Sequence, residues 1–376
     1  MSLVAAGLAC ILAGSLVYCV LVLLAVRGYL AQANGAPGEA IPISVLKPLA
    51  GADLGLEENL RSFFEQEYPD FEILLAVRSE QDSAVPVVQR LQAEFPAVRS
   101  RLIVTGEPPY PNAKVYSLDR MLAESAHEVV VMSDSDIRVE RSFLHNVAAE
   151  FANPGIALST CPYLGIGGPR FWSRLEAEGM NTEFLGGLLV ARMIEGVRFA
   201  VGPTIVARKP VLEAIGGFDR LKDYLAEDFV MGKLAAELGF GVILSRNVVE
   251  HRIGSENWRS NAVHRLRWAR STRRSRPAGY VGQLFTNPLP IALLMVAVQP
   301  ALWPVLIPTV LLRGAAAWST SLTILGRMPN WGLLVAQDLL SFVFWIAGFF
   351  GNTVMWRGRR YYLRADGSFE LAGERR

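Results

Sequence analysis

From Leu3 to Val26 the chain carries no charged residue. At the rise of an α-helix those residues extend about 36 Å, enough to cross the hydrocarbon of a bilayer with some tilt. Lipid offers no water to backbone N–H and C=O groups, so a lone run of this kind must close its hydrogen bonds as a helix. A cleaved leader is the competing reading, and Ala31-Gln32-Ala33 resembles a cleavage site. The run is longer than a leader core and nothing basic precedes it, which favours a retained anchor over residues 1–27. Two more apolar stretches, Pro288–Leu312 and Leu333–Met355, lie near the other end. Arg313–Trp331 between them is broken by Arg313, Gly314, Gly326, Arg327 and Pro329, so residues 286–356 read as a membrane segment of two or three helices. Composition agrees, with 19% charged residues and a mean hydropathy of +0.28.

The net charge of +2 says less than its placement. Seven arginines fall between Arg259 and Arg276, with Trp258 and Trp268 among them. Nucleic acid, a diphosphate or an anionic membrane surface could each take such a stretch. An apolar span follows about a dozen residues later, so residues 257–276 read as a basic helix at the membrane interface, and no nucleic-acid partner is expected. The tail at 357–376 is also basic, and the positive-inside rule puts both segments in the cytoplasm. An even number of crossings must then separate them, which two helices satisfy. Cys10, Cys19 and Cys161 show no pairing framework and no metal spacing, and read as free thiols.

Between the apolar ends, strand and helix patterns alternate. After a turn-rich linker at Asn34–Ala40, strands are expected at Ile43–Leu46, Phe71–Val77, Arg101–Thr105 and Val129–Met132, with helices at Leu56–Gln66, Ala84–Phe95 and Lys114–Ala126 between them. That alternation predicts an α/β fold with a mainly parallel, doubly wound sheet. The pattern then loosens: a helix at Glu140–Phe151, a strand at Ile156–Thr160, an apolar Gly-rich segment at Gly165–Val197, a strand at Phe199–Ala207 holding Gly202-Pro203, and a last strand at Gly241–Ser245.

The run Val129–Met132 stops in acid, at Asp134-Ser135-Asp136. Open α/β sheets bind ligands outside the carboxyl ends of their strands, so this turn is where a polar substrate should arrive. Two carboxylates one residue apart suit a hard cation, Mg²⁺ or Mn²⁺, that shares its oxygen ligands with substrate phosphates. Asp and Ser are also ordinary turn and helix N-cap residues. Glu227-Asp228 opens a further helix, where acids favour the dipole in any case.

Four features stand in one order: Asp82 after the second strand, Asp134 with Asp136, Glu227-Asp228, and His264-Arg265-Leu266-Arg267-Trp268. With ISVLKPLAGAD, FFEQEYPDFEILLAV, SDSDIRV and YLAEDF, the chain resembles the ceramide glucosyltransferase family of inverting GT-A glycosyltransferases over roughly residues 42–290, together with its bacterial relative, the hopanoid biosynthesis-associated glycosyltransferase. The resemblance implies a GT-A domain at 42–285 that binds a UDP-sugar donor and a membrane lipid acceptor at the cytoplasmic face of a plasma or inner membrane. It implies that Asp82 contacts the nucleoside, Lys114 and Glu227 lie near the donor, Asp134 and Asp136 hold the metal, and Asp228 is the general base. It also places Arg267 against the diphosphate and Trp268 at the acceptor's entrance. His264 departs from the family's usual Gln or Arg. His127, His145 and His251 read as structural. A ceramide-like acceptor is the first expectation, and a hopanoid polyol taking N-acetylglucosamine from its UDP-sugar is the alternative. A polysaccharide synthase would need a wider pore than two or three spans make, and an inactive scaffold need not keep every acid.

Overall fold

The computed structural model describes residues 2–32, 40–255 and 257–373. The predicted linker at Asn34–Ala40 therefore lies outside the described residues except for Ala40. The chain forms two units: Ala33–Tyr163 with Val197–Gly254 and Gly367–Arg376, and Met1–Gln32 with Leu164–Gly196 and Ser255–Asp366.

The first is an α/β unit. In chain order the strands are β1 (Ile43–Pro48), β2 (Phe71–Val77), β3 (Arg99–Val104), β4 (Val129–Ser133), β5 (Ile137–Arg138), β6 (Ile156–Thr160), β7 (Tyr163–Gly167, of which only Tyr163 belongs to this unit), β8 (Thr204–Arg208), β9 (Gly241–Leu244) and β10 (Val249–Ile253). Seven of them form one sheet in the order β3-β2-β1-β4-β8-β6-β9. β1, β2, β3 and β4 run parallel, and so do β6 and β9, whereas β8 runs against both β4 and β6. β4 sits in the middle with every residue buried, as its unbroken apolar run requires. One face of the sheet, through Leu46, Leu74, Val130, Met132 and Ile205, packs on Val115, Leu118 and Met121 of helix Ala113–Glu124 and on Met231 and Ala235 of helix Glu227–Glu237.

Two sequence expectations change here. The strand expected at Phe199–Ala207 begins only at Thr204, because Gly202-Pro203 makes a turn and proline has no N–H for a ladder. Gly241–Ser245 is not the last strand, since β10 follows and pairs with β5 through His251↔Ile137. Reversal of β8 delivers the Gly202-Pro203 turn to the carboxyl end of β4, where Pro203 O accepts the Asp134 N–H at 3.0 Å. Helix Glu227–Glu237 comes very close to the chain ahead of β8: a Cβ on Gly232 would lie 2.2 Å from Ala200 N and from the Phe199 carbonyl carbon. Backbone cannot yield as a side chain can, so Gly232→Ala is expected to cost about 1–3 kcal/mol, read as a lower melting temperature of the purified protein.

The second unit is helical. Leu3–Leu30, Pro300–Ile324 and Trp331–Gly348 are each long and apolar enough to cross a membrane. Pro277–Thr286 and Pro288–Val298 form a pair bent by 62° that would make a fourth if taken as one span. The expected span Pro288–Leu312 is thus broken after Val298, where Pro300 withholds an N–H, and the helix that restarts there carries through Arg313 to Ile324. The expected span Leu333–Met355 ends at Gly348, and Thr353–Trp356 turns back against Arg359–Leu363 as a hairpin. The Gly165–Val197 segment is helical from Phe171 to Glu195, with a π turn at Met180–Phe184.

Candidate active site

At the carboxyl end of β4 the chain turns sharply, and the Ile137 N–H reaches back to Asp134 O at 3.3 Å. Lys47, from the end of β1, lies wholly buried beneath this turn, over the Phe63 ring at 4.0 Å. Its ammonium donates to Ser133 Oγ at 3.3 Å and to the Asp134 carbonyl. Burial draws the lysine down to about 7 even though Asp134 and Asp136 favour its charge. Its position at the carboxyl end of β1, next to a proline, is the sequence signal that marks it.

Above the turn stands Lys114, in the first turn of helix Ala113–Glu124. Asn112 positions it by capping that helix, accepting from Val115 N at 3.1 Å and donating to Tyr224 O at 2.8 Å. The Lys114 ammonium lies 2.8 Å from Asp134 Oδ1 and 3.1 Å from Glu227 Oε1. Burial opposes its charge, but Asp134 and Glu227 outweigh burial and hold it well above the usual lysine range. One cation therefore gathers a carboxylate from the β4 turn and one from helix Glu227–Glu237.

The three aspartates feel different surroundings. Burial raises Asp134, with Lys114 pulling the other way and Asp136 adding to the rise. Burial acts upward on Asp136 as well, but His251 Nε2 at 3.1 Å from Oδ2 prevails and holds that carboxyl at about 2. Asp228 goes up to about 7, through burial first and then the neighbouring Glu227. Gly202 makes room for it: a Cβ there would stand 2.9 Å from Asp228 Oδ2. Two acids of one site with carboxyls this far apart can take opposite roles, one staying charged and one exchanging a proton near neutrality. A small crevice lined by Pro48, Lys114, Ser133, Gly202, Glu227 and Asp228 opens among them.

His251, read from the sequence as structural, is therefore part of this constellation, set on β10 with its ring edge-on to Tyr163 at 5.4 Å. Nothing in its spacing marks it, because β5 and β10 pair across more than a hundred residues. Asp82 is engaged in holding two loops together, accepting from Gly51 N at 3.0 Å and Ala84 N at 2.9 Å. Among the described residues no group of three His, Cys, Asp or Glu side chains forms a metal cage. The donor set is two carboxylates on one turn, which fits Mg²⁺ or Mn²⁺ in the form that keeps water and phosphate oxygens as its remaining ligands.

His264, Arg267 and Trp268 belong to the helical unit, on helix Trp258–Ser275. His264 Nδ1 lies 2.7 Å from Glu176 Oε1, and its ring packs 4.8 Å from Trp268, which in turn meets Phe184 at 6.3 Å. Asn261 also donates to Glu176, Arg265 donates to Asn261 Oδ1 at 2.8 Å, and Arg265 reaches Gln337 Oε1 at 2.8 Å. Further along, Arg270 donates to Phe350 O at 3.0 Å and Thr353 O at 2.6 Å, and Arg273 to Gly351 O at 2.8 Å. These arginines, expected at lipid headgroups, close the carbonyls that follow helix Trp331–Gly348.

Comparison with known proteins agrees with this architecture. The chain is 19% identical to a mannosyltransferase from Pyrobaculum calidifontis, solved in complex with GDP-Man and Mn²⁺, with a TM-score of 0.52 over 90% of this chain and 99% of that one. The two share the GT-A type fold. Ceramide glucosyltransferase 1 of Caenorhabditis elegans is 28% identical over 212 residues, 56% of this chain and 45% of that protein. Ceramide glucosyltransferase 3 of the same organism is 24% identical over 347 residues, 86% of this chain and 73% of that protein. The chain thus spans less than half of the first relative and about three quarters of the second. The profile of glycosyl transferase family 21 runs from residue 7 to residue 369, through both units, and the chain belongs to that family.

Proposed function

We propose that this protein is a membrane-bound transferase that moves a hexose from a UDP-sugar, with inversion, to a hydroxyl of a ceramide-like lipid, with its α/β unit in the cytoplasm. The observation that carries the reading is the meeting of Asp134, Glu227 and the Lys114 ammonium beside Asp228 at the carboxyl end of β4. Family membership and the ceramide glucosyltransferase relatives support the lipid acceptor.

In this reading Asp134 and Asp136 hold Mg²⁺ or Mn²⁺. The metal, when bound, supplies positive charge to the diphosphate that leaves. Lys114 orients Asp134 and Glu227 about the donor. Asp228 accepts the proton of the acceptor hydroxyl as its oxygen bonds to the anomeric carbon and the carbon–oxygen bond to the β-phosphate breaks. Inversion in one step needs this base and no protein nucleophile. His251 keeps Asp136 ionised, ready for a cation. Asp82 fixes the loops after β1 and β2, Arg267 serves the diphosphate, and Trp268, with His264 beside it, the acceptor. The bent pair Pro277–Val298 acts as a re-entrant element, which leaves two crossings between the basic helix and the basic tail.

The test is transfer by the full chain in lipid nanodiscs, with Mn²⁺ or Mg²⁺, a panel of UDP-sugars, and ceramide or a hopanoid polyol, followed by mass spectrometry of the lipid. A hexosylceramide is expected, and a glycosylated polyol or a polymer would replace the proposal. Chelation should abolish transfer, and Asp136→Asn should weaken Mn²⁺ binding in the presence of UDP by at least about tenfold, measured by calorimetry.

A further inference from the structure

The helical unit keeps an unusual amount of polar chemistry among apolar helices, where ionisable groups are costly and mark function. Glu183 lies in the π turn Met180–Phe184, and a second π turn occurs at Ser319–Ile324. Such turns recur at functional sites. One oxygen of Glu183 accepts from Thr286 Oγ1 at 3.2 Å and Asn287 Nδ2 at 3.3 Å, and the other from Ser341 Oγ at 2.6 Å and Gln337 Nε2 at 3.5 Å. These donors are committed.

Two neighbouring polar atoms are not. Among the described residues the fully buried Tyr18 hydroxyl finds no hydrogen-bond partner, and neither does Oδ1 of Asn287, a residue only 1% exposed. The Tyr18 hydroxyl lies along helix Leu185–Glu195, where a Cβ on Gly187 would be 3.6 Å away, and it feels the charges of Glu183 and Arg313. Buried polar atoms left without partners are rare in native proteins because each has given up its hydration. One of the pair can donate and the other can only accept. An N-acyl lipid headgroup offers the matching set: a carbonyl for the tyrosine, and an N–H or O–H for the asparagine.

We propose that the compartment around Glu183, completed by Tyr18 and Asn287, is the subsite that holds the amide and hydroxyl groups of the acceptor lipid. The inference rests on the lipid-acceptor reading above. Trp268 packs on Phe184, the residue beside Glu183, so the compartment adjoins the aromatic side chain that the family resemblance places at the acceptor's entrance.

Tyr18→Phe separates a ligand-binding role from a structural one, because the hydroxyl it removes makes no hydrogen bond to any described residue. The full chain in phosphatidylcholine nanodiscs would be assayed for ceramide KM, for binding of a fluorescent ceramide without donor, for UDP-sugar binding and for melting temperature. The expected result is a ceramide KM and Kd raised about fivefold, the worth of one hydrogen bond, with UDP-sugar affinity kept and the melting temperature unchanged or higher. Unchanged ceramide affinity would overturn the proposal. A lower melting temperature with unchanged affinity would also overturn it, by showing that the hydroxyl holds structural water. Wild-type protein that binds the UDP-sugar yet neither binds nor glycosylates ceramide would instead refute the underlying acceptor reading.

Discussion

Replacing Asp228 by Asn is expected to lower sugar transfer by about 10³-fold while UDP-sugar binding persists, because the amide keeps the shape of the site but cannot take the acceptor's proton. The wild-type rate should fall on the acid side with a midpoint near 7, since burial and Glu227 bring Asp228 to about 7 and only its ionised form is a base. Stability should move the other way. A carboxyl raised in the folded chain contributes stability at low pH that is lost as pH rises from its unfolded value, about 4, through about 7. Asp228→Asn should therefore melt above wild type at pH 8, by up to about 4 kcal/mol of stability, and lose that advantage toward pH 5. Rate–pH profiles and thermal melts of both proteins at several pH values check the two limbs together. An acid limb that stays in place when Glu227→Gln removes the neighbouring charge would count against Asp228 as its source.

Arg313→Met should destabilise the helical unit by about 3–5 kcal/mol. Arg313 bonds Asp338 with both arms of its guanidinium, Nε to Oδ2 and Nη2 to Oδ1 at 2.8 Å each, and the two residues are 4% and 0% exposed. Removal of the arginine strands a carboxylate among apolar helices, and the Thr182 hydroxyl also loses its 3.4 Å partner. The cost comes from the charge left behind more than from the pair's own worth, so Arg313→Met combined with Asp338→Leu should recover most of the loss. A double-mutant cycle on thermal or denaturant unfolding in nanodiscs measures this. Equal destabilisation in the single and double variants would mean that the pair sets the packing of Pro300–Ile324 against Trp331–Gly348 in a way that apolar side chains cannot replace.

The elements that were plain in the sequence were those whose cause is local. Val129–Met132 reads as a buried strand and Leu3–Val26 as a long apolar helix from side-chain type alone. Local signals misled where proline acted. Hydropathy alone carries Pro288–Leu312 straight through Pro300, although the chain breaks there, and continues Leu333–Met355 past Gly348 into a hairpin. Two arginines of Trp258–Ser275, Arg270 and Arg273, find their acceptors at Phe350 and Gly351, some 80 residues away and beyond the reach of any local signal.

The sequence by itself determined the α/β alternation, the apolar helices at both ends, and the acids at the end of β4 and at the start of Glu227–Glu237. Each follows from periodicity or side-chain chemistry within a dozen residues. Only the tertiary structure decided that β8 runs backwards and brings Gly202 beside Asp228, that Lys114 sits between Asp134 and Glu227, and that His251 faces Asp136. The reason is physical: the charge state of a carboxyl depends on burial and on neighbours within a few ångströms, and those neighbours come from strands and helices far apart in the chain.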